Sequence, residues 1–458
     1  MIIKKLLFLL PVLLYAQVVD TVIPLFDEPR EQLFYISEGN KLYINLDQTR
    51  RFFVFDCSTN VIRKIIQLPL GYPSAAYAVW NWRRNKIYYT FDLAMPESIM
   101  VIDGQRDSII KWINWNAYVS PPCYNSKDDK VYTNNGESLA VIDCATDSII
   151  KIIGQPYYLA HFSVWDSIGN KVYCGSSWTD KVTVINCAND SVVAVISTGV
   201  SSPWAAVYNP TRRKLYVGGE WGQTGGVICT VGDTLIKNFS LPYDEDIPLI
   251  YNSLEDKVYW PAGYSFYVID CVTDSIIKKI EYSSPIKSMC LAGGSNRLYF
   301  VTYNYDSTAD TLRVLDCHND SVVSQLPIGH HSIDMSCNPN NHRIYVTDQR
   351  DSVLFVIRDE LPGIEENRQS LLANHIPPEI YPNPAKAVLR VFYALYVKGP
   401  KEIKIFDVSG KMVKEIATPA SQARNDRNDE IKISLKGISP GIYFLRLGKE
   451  TKKFIVAK

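Results

Sequence analysis

Between residues 41 and 358, polar and apolar positions alternate in short runs bounded by clusters of Asp, Asn, Ser and Gly. Eight of these runs open on a basic residue, an aliphatic residue and a tyrosine: Lys41-Leu42-Tyr43, Lys86-Ile87-Tyr88, Lys130-Val131-Tyr132, Lys171-Val172-Tyr173, Lys214-Leu215-Tyr216, Lys257-Val258-Tyr259, Arg297-Leu298-Tyr299 and Arg343-Ile344-Tyr345. The tyrosines recur every 40 to 46 residues. Downstream comes an apolar run such as Val268-Ile269-Asp270, then a tight turn, then Asp-Ser and two β-branched residues, as in Asp274-Ser275-Ile276-Ile277. A further run precedes each triplet, as in Trp204-Ala205-Ala206-Val207-Tyr208. Period-two alternation with tight turns predicts strands. Four short strands per period of about 40 residues predict an all-β fold, a β-propeller whose blades bury both faces only by stacking on one another.

The eighth unit lacks a fourth run. After 351–358 it passes into Pro362-Gly363, whereas Val18-Val19-Asp20-Thr21-Val22-Ile23 matches the Asp-Ser-β-β pattern. The N-terminal strand is therefore expected to complete the last blade as its outer strand. Eight blades are expected, with seven as the alternative if one unit is irregular. The triplet tyrosine, present in every unit, is expected to pack between blades.

The recurrence of Asn-Lys-Val-Tyr, Val-Ile-Asp and paired β-branched residues over roughly residues 18–360 resembles the YVTN-type propeller repeat. That family is related in fold to the quinoprotein amine dehydrogenase small subunit. The usual Val-Tyr-Val-Ala-Asn run becomes Val-Tyr-Cys-Gly at 172–175 and Leu-Tyr-Val-Gly at 215–218. The resemblance implies the fold, and such propellers serve many roles.

Residues 361–376 read as a linker, and 377–458 hold six or seven short strand-like runs that suggest a small immunoglobulin-like β-sandwich. This segment carries Tyr381-Pro382-Asn383-Pro384, then Ile405-Phe406-Asp407-Val408-Ser409-Gly410-Lys411, then Ser439-Pro440-Gly441-Ile442-Tyr443-Phe444, and finally Lys453-Phe454-Ile455-Val456. In that order they resemble the C-terminal sorting domain (type A) of the type IX, or Por, secretion system. By that resemblance, Tyr381, Pro382, Asn383, Pro384, Asp407, Gly410, Gly441 and Tyr443 are expected to form the sorting motif. The resemblance implies passage through the periplasm and outer membrane, the secretion machinery as a partner, and release or surface attachment. At the other end, Lys4-Lys5 precede an apolar run, Leu6 to Tyr15, and the small Ala16. Residues 1–16 are expected to be a signal peptide, too short to span a bilayer.

Charge refines this division. The chain has 48 basic and 48 acidic residues. The balance is +2 over residues 1–16, −10 over 17–375 and +8 over 376–458. The propeller segment is thus acidic, which argues against nucleic acid and anionic membrane partners. Ten cysteines in an exported chain raise the question of disulfides. Cys57, Cys144, Cys187, Cys271 and Cys317 close equivalent segments in different units, so they are expected to be small buried residues at turns. Pairing that involves Cys123, Cys174, Cys229, Cys290 or Cys337 stays open.

Candidate chemistry is sparse. The six histidines include the adjacent pair His330-His331 but no zinc spacing, and no nucleophile elbow or phosphate loop occurs. No cofactor or metal is expected. Acidic groups at Asp244-Glu245-Asp246, Asp306 and Asp310 would suit a carbohydrate-active enzyme. The loops expected to share one propeller face carry aromatic residues, among them Trp115, Tyr158, Trp178, Trp204, Trp221, Tyr264, Tyr303 and Tyr305. Such rings suit stacking on sugars or peptides. The expectation is a monomeric, secreted or surface-displayed, non-catalytic binding propeller whose ligand is a glycan or peptide. Its rivals are the extracellular enzyme and a structural surface component.

Overall fold

The structure, a computed structural model, describes residues 18–46, 49–69, 75–91, 99–115, 121–135, 138–154, 159–176, 179–219, 224–241, 248–305, 308–359, 379–381, 388–393, 402–407, 411–417, 429–447 and 450–457. The expected signal peptide lies outside them. The chain divides into two compact units, residues 1–362 and 363–458. Every described element is a strand.

In the first unit the described residues form eight four-stranded antiparallel sheets. Sheet one comprises Pro29–Ile36, Lys41–Leu46, Arg51–Asp56 and Val61–Gln67. Sheets two to seven follow in chain order over 75–113, 123–154, 159–197, 203–240, 250–281 and 286–328. Sheet eight takes Ser332–Asn338, Arg343–Asp348 and Val353–Arg358 from the end of the unit, and its outer strand, Val18–Pro24, from the start of the chain.

The turn chemistry explains the repeat. Turns after the first strands end on Asn40, Asn85, Asp129, Asn170, Arg213, Asp256, Asn296 and His342, each with a φ of 50 to 56°. Turns after the third strands end on Asn60, Asp107, Asp147, Asp190, Asp233, Asp274 and Asp320, within the same range. Asn and Asp are the non-glycine residues that best tolerate this left-handed region. The Asp of each Asp-Ser motif is thus a turn residue.

The same Asp also joins neighbouring sheets. Tyr43, fully buried, donates its hydroxyl to Asp107 at 2.6 Å, and Lys41 Nζ lies 2.8 Å from the same oxygen. Equivalent latches run from Lys86 and Tyr88 to Asp147, Lys130 and Tyr132 to Asp190, and Lys171 and Tyr173 to Asp233. Lys214 and Tyr216 meet Asp274, and Lys257 and Tyr259 meet Asp320. Burial, reinforced by the adjacent carboxylate, pushes these phenols well above their ordinary range. A second row of bonds links the ends of first strands to the next sheet's turn: Asn81 to Asp129, Asn125 to Asn170, Asn209 to Asp256 and Asn252 to Asn296.

Sheet eight departs from this scheme in two ways. In sheet six the bulge between third and fourth strands skips Ile277, and in sheet eight the corresponding bulge skips Asp20. Asp20 therefore does not occupy the Asp-Ser position that its sequence suggests. It stands three residues farther along, at the place of Ile277. There it binds Arg343 at 2.7 Å and Arg358 at 2.5 Å. The latch from Arg297 and Tyr299 ends on Asp359 instead. Sheet one has Asn60 at the latch position, and Tyr345 bonds Asn341 and the Cys57 carbonyl. Sheets eight and one are also joined by Asn338 to Asn40 at 2.8 Å and by the Leu33 amide to Asp334 at 2.7 Å.

The five turn cysteines are buried, and burial pushes the thiols of Cys144, Cys187, Cys271 and Cys317 up to about 11. One disulfide is formed, between Cys290 and Cys337 on the first strands of sheets seven and eight, with Cα atoms 6.0 Å apart.

The second unit holds a three-stranded sheet, Glu379–Tyr381, Val388–Tyr393 and Asp429–Ser434, and a four-stranded sheet. The latter is ordered Met412–Ala417, Glu402–Asp407, Gly441–Leu447, Glu450–Val456. Ile403, Ile405, Ile433, Leu435, Tyr443, Leu445, Phe454 and Val456 form its core.

Candidate functional site

Antiparallel strands put second-to-third-strand loops and sheet-to-sheet crossovers at one end of the first unit. Around sheets six to eight this end is built on the crossover 282–286. The Tyr282 amide donates to the Tyr264 carbonyl at 2.7 Å, and the Ile286 amide to Gly263 at 3.4 Å. On the other side the Tyr303 amide donates to Pro285 at 2.9 Å, and Ser284 Oγ meets Asn304 Oδ1 at 2.8 Å. One short segment thus holds the Tyr264 turn of sheet six beside the Tyr303–Tyr305 loop of sheet seven.

The rings are displayed. Tyr305 is 72% exposed and Tyr264 is 53% exposed. Tyr305 stands edge-on to Tyr303 with centroids 4.9 Å apart, and Tyr303 lies 5.2 Å from the His331 ring. Below them Arg313 sits 4.9 Å from the Tyr282 ring, a half-buried cation on an aromatic face.

Two acids at this end, Asp310 and Asp348, are structural, whereas Glu281, opposite Ser265, is exposed and paired with Lys279. Asp310 is fully buried; its carboxylate accepts the Asn304 and Ser332 amides at 3.0 and 2.7 Å. Burial raises its pKa, and the neighbouring Asp348 adds to that. Asp348, also fully buried, accepts the His330 and His331 amides at 2.9 Å and the Ser332 hydroxyl at 3.1 Å. Gly329 precedes this segment at φ 46°, and a Cβ there would strike the Asp348 carboxylate. Both acids spend their oxygens anchoring residues 330–332, so Asp310 is a loop anchor and not a solvent-facing acid. His330 pairs with Asp351 at 2.8 Å.

The remaining predicted residues fall elsewhere. Trp115 is corrected: it is 7% exposed and packs with Tyr88, Ile99, Tyr124 and Ile142 between sheets two and three, so its ring belongs to the core. Trp204 is half-buried at a bulge in the first strand of sheet five. Tyr158, Trp178, Trp221, Asp306 and Asp244-Glu245-Asp246 lie outside the described residues. The contributions of His331, Tyr282 and Arg313 were missed by sequence reasoning. Only the closeness of Gly329-His330-His331 to an expected crossover hinted at the first. Among the described residues, no group of three or more His, Cys, Asp or Glu is placed to hold a metal.

In the second unit Tyr443 packs in the core and donates its hydroxyl to the Ser439 carbonyl at 2.8 Å, closing the turn ahead of Gly441. Asp407 and Lys411 exchange two bonds across the hairpin: the Asp407 amide to the Lys411 carbonyl at 3.0 Å, and the Lys411 amide to Asp407 Oδ1 at 3.1 Å. Tyr381 pairs with Arg390 in the smaller sheet. Pro382, Asn383, Pro384 and Gly410 lie outside the described residues. Residues 379–458 match the family model of the secretion system C-terminal sorting domain. The C-terminal unit is a secretion sorting domain. It implies the type IX machinery as a partner and delivery through the outer membrane to the cell surface or extracellular space.

No curated protein matches the chain. Among solved structures it is similar to the hydrazine synthase of Kuenenia stuttgartiensis, at 12% identity over 64% of this chain and 97% of that one, with a TM-score of 0.48. A chain of a mitotic checkpoint complex crystal structure is 9% identical over 62% of this chain and 86% of that one, with a TM-score of 0.49. Superpositions this loose say nothing about what the sorting domain's cargo binds.

Proposed function

We propose that the first unit is an eight-bladed β-propeller, closed by its N-terminal strand, that serves outside the cell as a non-catalytic binding module. Residues 1–16 start its export as a signal peptide, and the sorting domain completes it. The eight repeats, the pairing of Val18–Pro24 with Val353–Arg358, and the bonds between sheets eight and one support the ring. The binding reading rests on one observation: Tyr264 and Tyr305 stand exposed on adjacent sheets, propped by the shared crossover and by Tyr303 and His331. A broad exposed ring face needs no charge to hold a pyranose or a peptide side chain, and it offers area at low entropic cost. Asp310 and Asp348 are committed to backbone amides and the exposed Glu281 is paired with Lys279, which supports binding over hydrolysis. A glycan and peptide array probed with the secreted protein, with product release measured on each hit, tests the reading. Retention without turnover is expected; hydrolysis of a retained glycan would overturn it.

A further inference from the structure

A second feature lies at the opposite, turn-bearing end of the strands and does not depend on the loop-end site. In six sheets the last-but-one residue of the first strand is an aromatic ring: Tyr35, Trp80, Tyr124, Trp165, Tyr208 and Tyr251. Five of them donate to the side chain that closes their own turn. Tyr35 reaches Asn40 at 3.1 Å, Trp80 reaches Asn85 at 3.2 Å and Tyr124 reaches Asp129 at 3.0 Å. Trp165 and Tyr251 do the same to Asn170 and Asp256 at 3.3 and 3.2 Å. The last residue of the strand is usually the amide that crosses to the next sheet, as Asn81 crosses to Asp129.

Between sheets seven and eight both fillers are missing. The strand of sheet seven ends on Ala292, followed by Gly293-Gly294, and the ring position of sheet eight is Cys337. What remains is a cavity of about 290 Å³. Its walls are Leu291, Ala292, Cys337 and Ile344, and its rim is exposed at Gly293, Gly294 and His342. His342 closes the turn here at φ 53°, where five of the other turns offer an Asn or Asp oxygen to a ring donor. A neutral imidazole presents an acceptor nitrogen in place of that oxygen. An apolar cavity of about 150 Å³ already holds benzene, so the space takes a substituted ring. Asp359, at the buried end, is committed to Tyr299 and Arg297, and Arg343 to Asp20, so neither charge is free to select an ionic ligand.

We propose that this cavity binds one aromatic ring carrying a hydrogen-bond donor, a phenol or an indole, seated where the other sheets supply their own. The ring comes either from a free small molecule or from a Tyr or Trp side chain of a peptide, and the two are separable. Titration calorimetry on the full chain with p-cresol and 3-methylindole, and with capped Gly-Tyr-Gly and Gly-Trp-Gly, is the test. Saturable one-to-one binding of the free compounds is expected. Tighter binding of the peptides assigns the site to a side chain, and weaker binding assigns it to a free ring. Cys290→Val/Cys337→Tyr rebuilds the repeat and fills the space, so affinity should fall at least about tenfold. Cys290→Val/Cys337→Ala breaks the same disulfide without filling the cavity and should keep affinity within about threefold. If the tyrosine variant fails to fold, Ala292→Leu fills the cavity from the opposite wall. Absence of saturable binding by either compound, or undiminished affinity in the filled variant, would overturn the proposal.

Discussion

Substituting Asp107 by Asn isolates the charge of one inter-sheet latch. Asp107 Oδ1 receives Lys41 Nζ at 2.8 Å and Tyr43 OH at 2.6 Å, and the side chains of the ion pair are 3% and 2% exposed. Asn keeps the volume, an acceptor oxygen and tolerance of the observed φ of 52°. The negative charge leaves, and the oxygen that faces Arg63 Nε at 3.5 Å becomes an amide donor. Lys41 then keeps its bond to the Gly104 carbonyl at 2.6 Å but has lost its buried counter-charge. Removing one partner of a buried pair costs about 3–5 kcal/mol. The retained acceptors bring the expected loss to about 2–3 kcal/mol. The Lys171–Asp233 pair is 19% and 16% exposed and better screened. Asp233→Asn should therefore cost about 1 kcal/mol. All nine tryptophans fall between residues 80 and 260, so tryptophan fluorescence in guanidinium follows the first unit alone. If both variants stay within about 0.5 kcal/mol of the parent, the range of ordinary surface substitutions, the latch does not hold the sheets together.

Three further outcomes are expected. Burial raises the Asp20 pKa, but hydrogen bonds from Arg358 and Arg343 outweigh it and hold the carboxyl below its ordinary 3.8. A depressed carboxylate contributes stability above its unfolded pKa and loses it as pH falls through the folded one. Asp20→Asn should therefore lower denaturation midpoints at pH 6 and narrow its deficit below pH 3.8, and an equal deficit at every pH would refute the seam assignment. Of ten cysteines, the eight unpaired ones are mostly buried and several have thiols raised to about 11 or 12. Native protein should take up at most about one equivalent of iodoacetamide at pH 8, at the half-buried Cys229, denatured protein eight equivalents, and denatured and reduced protein ten; rapid native labelling beyond Cys229 would contradict the buried assignment. Removal of residues 379–458 should leave the first unit folded but retained inside the outer membrane, as fractionation would show, and unchanged export would refute its role as the address.

Much of the fold was legible because the Lys-x-Tyr triplet and the Asp-Ser turn are two ends of one latch. That contact recurs at six sheet junctions, so both of its ends repeat along the chain, and the four-strand period follows from the turns between. The departures were not legible for the same reason. Asp20 imitates the Asp-Ser pattern, but a bulge sets its register, and a bulge leaves no mark in a run of β-branched residues. The Cys290–Cys337 bond needs two consecutive first strands to lie side by side, which spacing along the chain does not reveal. Trp115 and Tyr305 look alike as loop aromatics. One follows a strand directly into the core, while the other stands exposed, edge-on to the Tyr303 ring.

The most direct test of the central claim is an affinity measurement. Once an array hit is in hand, its dissociation constant is determined for the secreted protein and for Tyr264→Ala/Tyr305→Ala. Removing two exposed rings leaves the core intact, and stacking anchors of this kind are each worth about 1–2 kcal/mol. The account predicts an affinity loss of about thirtyfold or more, with unchanged folding and export. Unchanged affinity in the double variant would contradict it.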